Sequence, residues 1–169
     1  LTHTALKDSE YGDQLFALAK ESKVSLDKIF TQYLLLYTRC GRPQDAERLM
    51  KENDFPFNFR VSMSICAAYA KLQNLSKVED CLASLDETQP SFGLRKLYET
   101  IIQIFSTTQP DVALELAHRF TRRSFPDVKD YQAEKMCRNI WKIAVVSFTD
   151  AKQKEHVLKA QEEFRKYAL

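Results

Sequence analysis

The stretch Ser25–Met50 reads SLDKIFTQYLLLYTRCGRPQDAERLM. Leu26, Ile29, Phe30, Tyr33, Leu34 and Tyr37 recur at spacings of three and four. That is the period of one apolar helix face. Cys40-Gly41-Arg42-Pro43 breaks the pattern. Gly41 can take the left-handed conformation that ends a helix, and Pro43 suits the first turn of the next. A second helix then carries Ala46, Leu49 and Met50. The stretch is a helical hairpin, and the question outward from it is whether the hairpin recurs.

On its C-terminal side, Asn53–Asn58 reads as a connector, with Asn58 as an N-cap. The next long helix holds Val61, Ile65, Ala68, Tyr69 and Leu72. Ser76-Lys77-Val78-Glu79 reads as a capping box opening a short helix with Val78, Cys81, Leu82 and Leu85. Pro90-Ser91 starts a third long helix, and Thr108-Gln109-Pro110-Asp111 a further short one. Pro126-Asp127 opens a longer segment through Trp141 to Phe148, and Asp150 is the expected cap of the last helix. On the N-terminal side, Tyr11–Val24 resembles the second helix of a preceding hairpin. No period-two alternation persists, so no sheet is expected.

The self-comparison gives a steady register. An offset of 32 puts Tyr37-Thr38-Arg39-Cys40-Gly41 on Tyr69-Ala70-Lys71-Leu72-Gln73, Ala46 on Val78 and Leu49 on Cys81. A further 35 puts Val78 on Ala113 and Cys81 on Leu116, and the combined 67 puts Pro43 on Pro110. Repeats of two helices at this length stack into an αα solenoid, because one hairpin cannot bury its apolar face alone. The expected fold is all-α, a right-handed αα solenoid (superhelix) of about four helix hairpins. The units fall at about 25–58, 59–93, 94–125 and 126–169 of a single array. The chain starts at Leu1 rather than Met, which reads as a portion of something longer.

Composition fits. Of 169 residues, 44% are hydrophobic and 28% charged, which excludes bulk disorder. Three glycines and five prolines are too few for an all-β sandwich, and the glycines are too scattered for a phosphate loop. No run of about 18 apolar residues exists, so no membrane span is expected. Cys40, Cys66, Cys81 and Cys137 form no CxxC pair and have no histidine at ligand spacing, so they read as reduced thiols rather than zinc ligands or a disulfide framework. His3, His118 and His156 lack a nucleophile nearby in sequence, and the acid pairs sit among basic neighbours. No enzyme activity, metal or cofactor is expected.

Charge is uneven. Residues 1–89 carry 11 Lys/Arg and 13 Asp/Glu, a net −2, whereas residues 90–169 carry 14 and 10, a net +4. The densest basic run is His118-Arg119-Phe120-Thr121-Arg122-Arg123. Arginines there complement a helix C-terminus, or they form a phosphate-contacting patch with Lys129, Lys135, Arg138 and Lys142.

The hairpin's residues resemble the pentatricopeptide repeat family. Arg39-Cys40-Gly41-Arg42 matches that family's turn, and Asp45-Ala46-Glu47-Arg48-Leu49 its second helix with a shifted acid. The second unit keeps Tyr69-Ala70-Lys71 but has Gln73 for the turn glycine, and the third keeps the apolar frame. Tetratricopeptide repeats are the nearest competitor by length, but their Trp and Gly-Tyr positions are missing. The resemblance implies single-stranded RNA binding, mostly in mitochondria or chloroplasts and here expected in a mitochondrion, one base per repeat. It puts base-facing positions at Thr31 and Asn58, with equivalents at Met63 and Gly93 and at Tyr98. If first helices line the groove, Lys28, Arg60, Arg95 and Lys96 share its rim. Arg119, Arg122 and Arg123 complete the candidate RNA contacts. The competing expectation is a scaffold for a protein partner or a ribonucleoprotein complex, with an apolar groove through Phe59, Met63, Tyr98 and Trp141, and a cytoplasmic location if not mitochondrial.

Overall fold

The computed structural model describes residues 10–14, 16–18, 21, 26–88, 91–123, 125 and 128–167. Pro90, Pro126 and Asp127, expected to open helices, lie outside the described residues. Among the described residues there is helix and no strand. Residues 10–14, 16–18 and 21 are helical and are called α1. The remaining helices are α2 (Leu26–Arg39), α3 (Pro43–Glu52), α4 (Phe59–Lys71), α5 (Leu75–Thr88), α6 (Ser91–Thr108), α7 (Pro110–Arg122), α8 (Asp130–Asp150) and α9 (Lys154–Arg165). The chain divides into two compact units, Leu1–Leu85 and Asp86–Leu169.

In the first unit, α2 packs on α3 and α4, and α3 packs on α4. Leu34, Val61, Tyr69, Ala70, Val78 and Leu82 are completely buried there. Thr38 of α2 and Ser64 of α4 share a hydrogen bond of 2.6 Å between hydroxyls. α1 docks on α2 through Phe16, whose ring lies 4.5 Å from Tyr33 and 4.9 Å from Phe30. Gly12 permits this approach: a Cβ there would fall 2.5 Å from Leu36 Cδ2. In the second unit, α6 packs on α7 and α8, α7 on α8 and α9, and α8 on α9. Its core holds Tyr98, Ile101, Ile102, Phe105, Phe120, Trp141 and Phe148, all fully buried.

The turns carry the register. Gly41 has φ 72°, its N–H donates to Thr38 O, and the Arg42 N–H donates to Tyr37 O. This is a Schellman ending, which satisfies carbonyls that the helix leaves open. Gln73 (φ 58°) repeats it, with bonds to Ala70 O and from Asn74 to Tyr69 O. Lys152 (φ 59°) does so again, with bonds to Thr149 O and from Gln153 to Phe148 O. After each of these turns, and also after Gln109, the fourth residue of the short helix bonds back to its cap: Ala46 to Arg42, Val78 to Asn74, Ala113 to Gln109 and Val157 to Gln153. Ala46, Val78 and Ala113, aligned by sequence offset alone, are all completely buried.

Two caps differ from expectation. α5 opens at Asn74, whose Oδ1 accepts from the Lys77 N–H at 3.3 Å, rather than at Ser76. Asp150 ends α8 instead of opening α9, whose cap is Gln153. Both follow from the Schellman turns, because the residue after the left-handed one becomes the next cap. Asn58 does cap α4, accepting from the Val61 N–H at 3.2 Å.

Candidate functional site

The residues expected to contact RNA fall into two sets, one in each unit, described separately. In the first unit, Asn58, Arg60 and Met63 occupy the start of α4. Asn58 uses its side-chain oxygen as the helix cap. Arg60 is exposed, and Thr31 and Met63 are half-buried. The side chain of Lys28 lies outside those described. Arg42, the basic residue of the turn, has a structural post: its Nε donates to Asp45 Oδ2 at 2.7 Å and its guanidinium lies 4.7 Å above the Tyr37 ring.

In the second unit, Tyr98 is 0% exposed, with its ring edge-on to Phe120 at 5.2 Å. It is a core residue, and stacking on a base would require opening that core. Trp141 is likewise 0% exposed, 4.8 Å from His118, so neither ring lines a groove. Arg95 pairs with Glu99 at 3.0 Å, while its neighbour Lys96 is exposed. Gly93 sits in the first turn of α6. At the end of α7, Arg122 reaches Glu115 at 3.5 Å, and Arg119 is half-buried. Arg123 lies 6.0 Å from the Phe120 ring and 5.7 Å from Phe125. A cation against an aromatic face is a packing contact as well as a charge. Of the other basic residues, Arg138 donates from Nε to Tyr167 O at 2.5 Å, and Lys129, Lys135 and Lys142 are exposed.

The unit boundary also changes the charge asymmetry. Cutting after Leu85 moves Asp86 and Glu87 into the second unit. The first unit is then neutral, with 11 basic and 11 acidic residues, and the second carries +2, with 14 and 12.

Two features have no counterpart in the sequence expectations. One is a set of buried tyrosines held by carboxylates. Tyr33 and Tyr37 both donate to Asp13 Oδ1, and Tyr69 donates to Glu47 Oε2 at 2.6 Å. Burial first, and then these hydrogen bonds, push all three phenols above their ordinary range. Lys77 Nζ lies 3.6 Å from the same Glu47 oxygen. The second feature is a cavity of about 290 Å³ walled by α3, α4 and α5 and by Phe57 of the connector. Glu47, Met50, Ile65, Lys77, Cys81 and Leu85 are among its lining residues. The available signal was the alignment of Cys81 with Leu49, two half-buried positions on successive short helices.

The second unit has a cleft of about 580 Å³ on α8 and α9, lined by Phe148, Val157 and Leu158 with Lys152 and Lys154. Elsewhere in this unit, His156 Nε2 lies 3.0 Å from Asp111 Oδ1, tying α9 to the first turn of α7. That hydrogen bond holds the Asp111 carboxyl below its usual range. None of the described helices is long and apolar enough to cross a membrane. No family model matches the chain, and no curated protein or solved structure matches it either.

Proposed function

We propose that the chain is a pentatricopeptide-repeat-like binding module, non-catalytic, that binds single-stranded RNA in organellar gene expression, with a mitochondrial location. In this reading the hairpins continue as a right-handed αα solenoid. The observation that carries it is the repeated cap register, Arg42, Asn74 and Gln109, at the 32 and 35 residue spacing of a two-helix repeat. Each of these residues accepts the first helical bond of the short helix that follows it. Arg60 and Lys96 support the RNA reading, being exposed cations in the first turn of α4 and the second turn of α6. Phosphates are the chemistry that such cations recognise without reading sequence.

The test is fluorescence anisotropy with mixed-sequence single-stranded RNA between about 50 and about 200 mM salt. Affinity should fall with salt, and Arg60→Ala and Lys96→Ala should each flatten the log–log slope by about 0.7. Absence of binding at low salt overturns the reading for this chain. A second reading, a scaffold for a protein partner, is favoured by the cleft on α8 and α9, where Leu158 is 67% exposed. Ultraviolet crosslinking separates the two, since RNA adducts support the first reading and protein adducts alone support the second.

A further inference from the structure

The cavity of the first unit has a thiol on its wall and a second thiol behind it. Cys81, on α5, is half-buried and lines the cavity. Cys66, on α4, is completely buried. The Cys66 Sγ donates to Val78 O at 3.9 Å, and Val78 stands one helical turn before Cys81 on α5. The Cys66 thiol thus reaches the turn of α5 that precedes Cys81, and Cys81 itself is reachable from the cavity. The wall also carries both signs of charge, Lys51 and Lys77 with Glu47 and Asp80.

We propose that Cys81 and Cys66 form a dithiol–disulfide site, Cys81 attacking and Cys66 resolving, that takes a small zwitterionic disulfide such as oxidised glutathione. The mixed charge of the wall suits the carboxylates and ammonium of such a peptide. A hydrogen bond from the Cys66 side chain, with help from Lys77, holds the Cys81 thiol below its ordinary range, against burial and the carboxylates of Glu47 and Asp80. The thiolate is the nucleophile in this chemistry, so that shift favours attack.

The first step breaks the glutathione disulfide and forms a bond between Cys81 Sγ and one glutathione sulfur. The other glutathione leaves as a thiolate and takes up the proton that Cys81 lost to solvent. In the second step Cys66, deprotonated, attacks Cys81 Sγ, and the mixed disulfide breaks. The second glutathione leaves and is protonated in turn. Two protein thiols are oxidised, and one disulfide is reduced to two thiols. The product links α4 to α5 across the Gln73 turn.

The internal controls are Cys40 and Cys137, both buried. Burial pushes the Cys137 thiol up to about 11. The chain is incubated with oxidised glutathione, quenched in acid, and mapped by mass spectrometry. The expected product joins Cys66 to Cys81 and leaves Cys40 and Cys137 as thiols. Cys66→Ser should trap glutathione on Cys81, and Cys81→Ser should abolish both products. Cys66→Ala serves if the serine variant loses its helical circular dichroism. Iodoacetamide should label Cys81 at least about tenfold faster than Cys40 or Cys137. Equal modification of all four thiols, no reaction at Cys81, or a stable glutathione adduct on Cys81 in the unsubstituted chain overturns the proposal.

Discussion

In the first unit, Tyr33, Tyr37 and Tyr69 are buried with their hydroxyls given to Asp13 and Glu47. In the second, the large buried side chains are Leu94, Tyr98, Ile101, Ile102, Phe105, Phe120, Trp141 and Phe148, most of them pure hydrocarbon. The two units therefore depend on different physics. Where a core tyrosine gives its hydroxyl to a carboxylate at the core's edge, stability hangs on a few part-buried bonds, and losing one partner strands the other. Where carbon is packed on carbon, stability hangs on volume, and a void is what costs. Trp141 is the only tryptophan, so its emission follows the second unit, while tyrosine absorbance near the phenols is weighted toward the first.

The largest effect is expected from volume. Phe120→Ala should cost about 3–5 kcal/mol in denaturant unfolding followed by Trp141 emission, since the ring is completely buried between Tyr98 and Phe125. A loss below about 1 kcal/mol would show that the second unit is not held by packing. Next is the polar counterpart. Tyr69→Phe keeps the ring and deletes the bond to Glu47, at about 2 kcal/mol, because the acceptor is charged. Circular dichroism of the variant against urea measures it, and an unchanged midpoint would mean that the bond adds nothing.

Alkaline pH should pull the units apart without mutation. A phenol whose folded pKa is raised contributes stability below its unfolded value of about 10 and loses it as the pH rises further. Tyr33, Tyr37 and Tyr69 are all raised in the first unit, against Tyr167 in the second. Thermal unfolding at a series of pH values should show the tyrosine-reported transition falling first above pH 10. Tyr33→Phe should flatten that fall. Coincident loss of the Trp141 signal would refute the contrast.

The smallest effects lie in the turns, where the two units should respond alike. Gln73 and Lys152 hold left-handed backbone without being glycine. Gln73→Gly and Lys152→Gly should each stabilise by about 0.5–1 kcal/mol in paired melting curves. The Gln73 gain should be the smaller, since its Nε2 also donates to Ala70 O. Gly41→Ala, the reverse substitution, should destabilise by about 1 kcal/mol.

Helix order was legible because Gly41, Pro43, Asn58 and Pro110 mark ends by hard local rules, and each acts where those rules put it. The Asn74 and Gln153 caps were not legible, because a left-handed glutamine or lysine has no signature of its own in sequence. Tyr98 misled for a different reason. Its helix, α6, buries Leu94, Leu97, Tyr98, Ile101, Ile102 and Phe105, an arc too wide for periodicity to separate a groove face from a core face. The carboxylate partners of the tyrosines were invisible because they come from other helices, 20 to 24 residues away in sequence.

The turn at Gln73 has a consequence for how such a chain can diverge. Its geometry is held by the Gln73 and Asn74 backbone bonds rather than by the identity of the residue. A glycine can therefore be exchanged for a strained glutamine at about 0.5–1 kcal/mol while the hairpin persists. The caps Arg42, Asn74 and Gln109 stand 32 and 35 residues apart although the residues of the turns before them differ. Arg42, Asn74 and Gln109 behave as marks on a ruler rather than as words in a code.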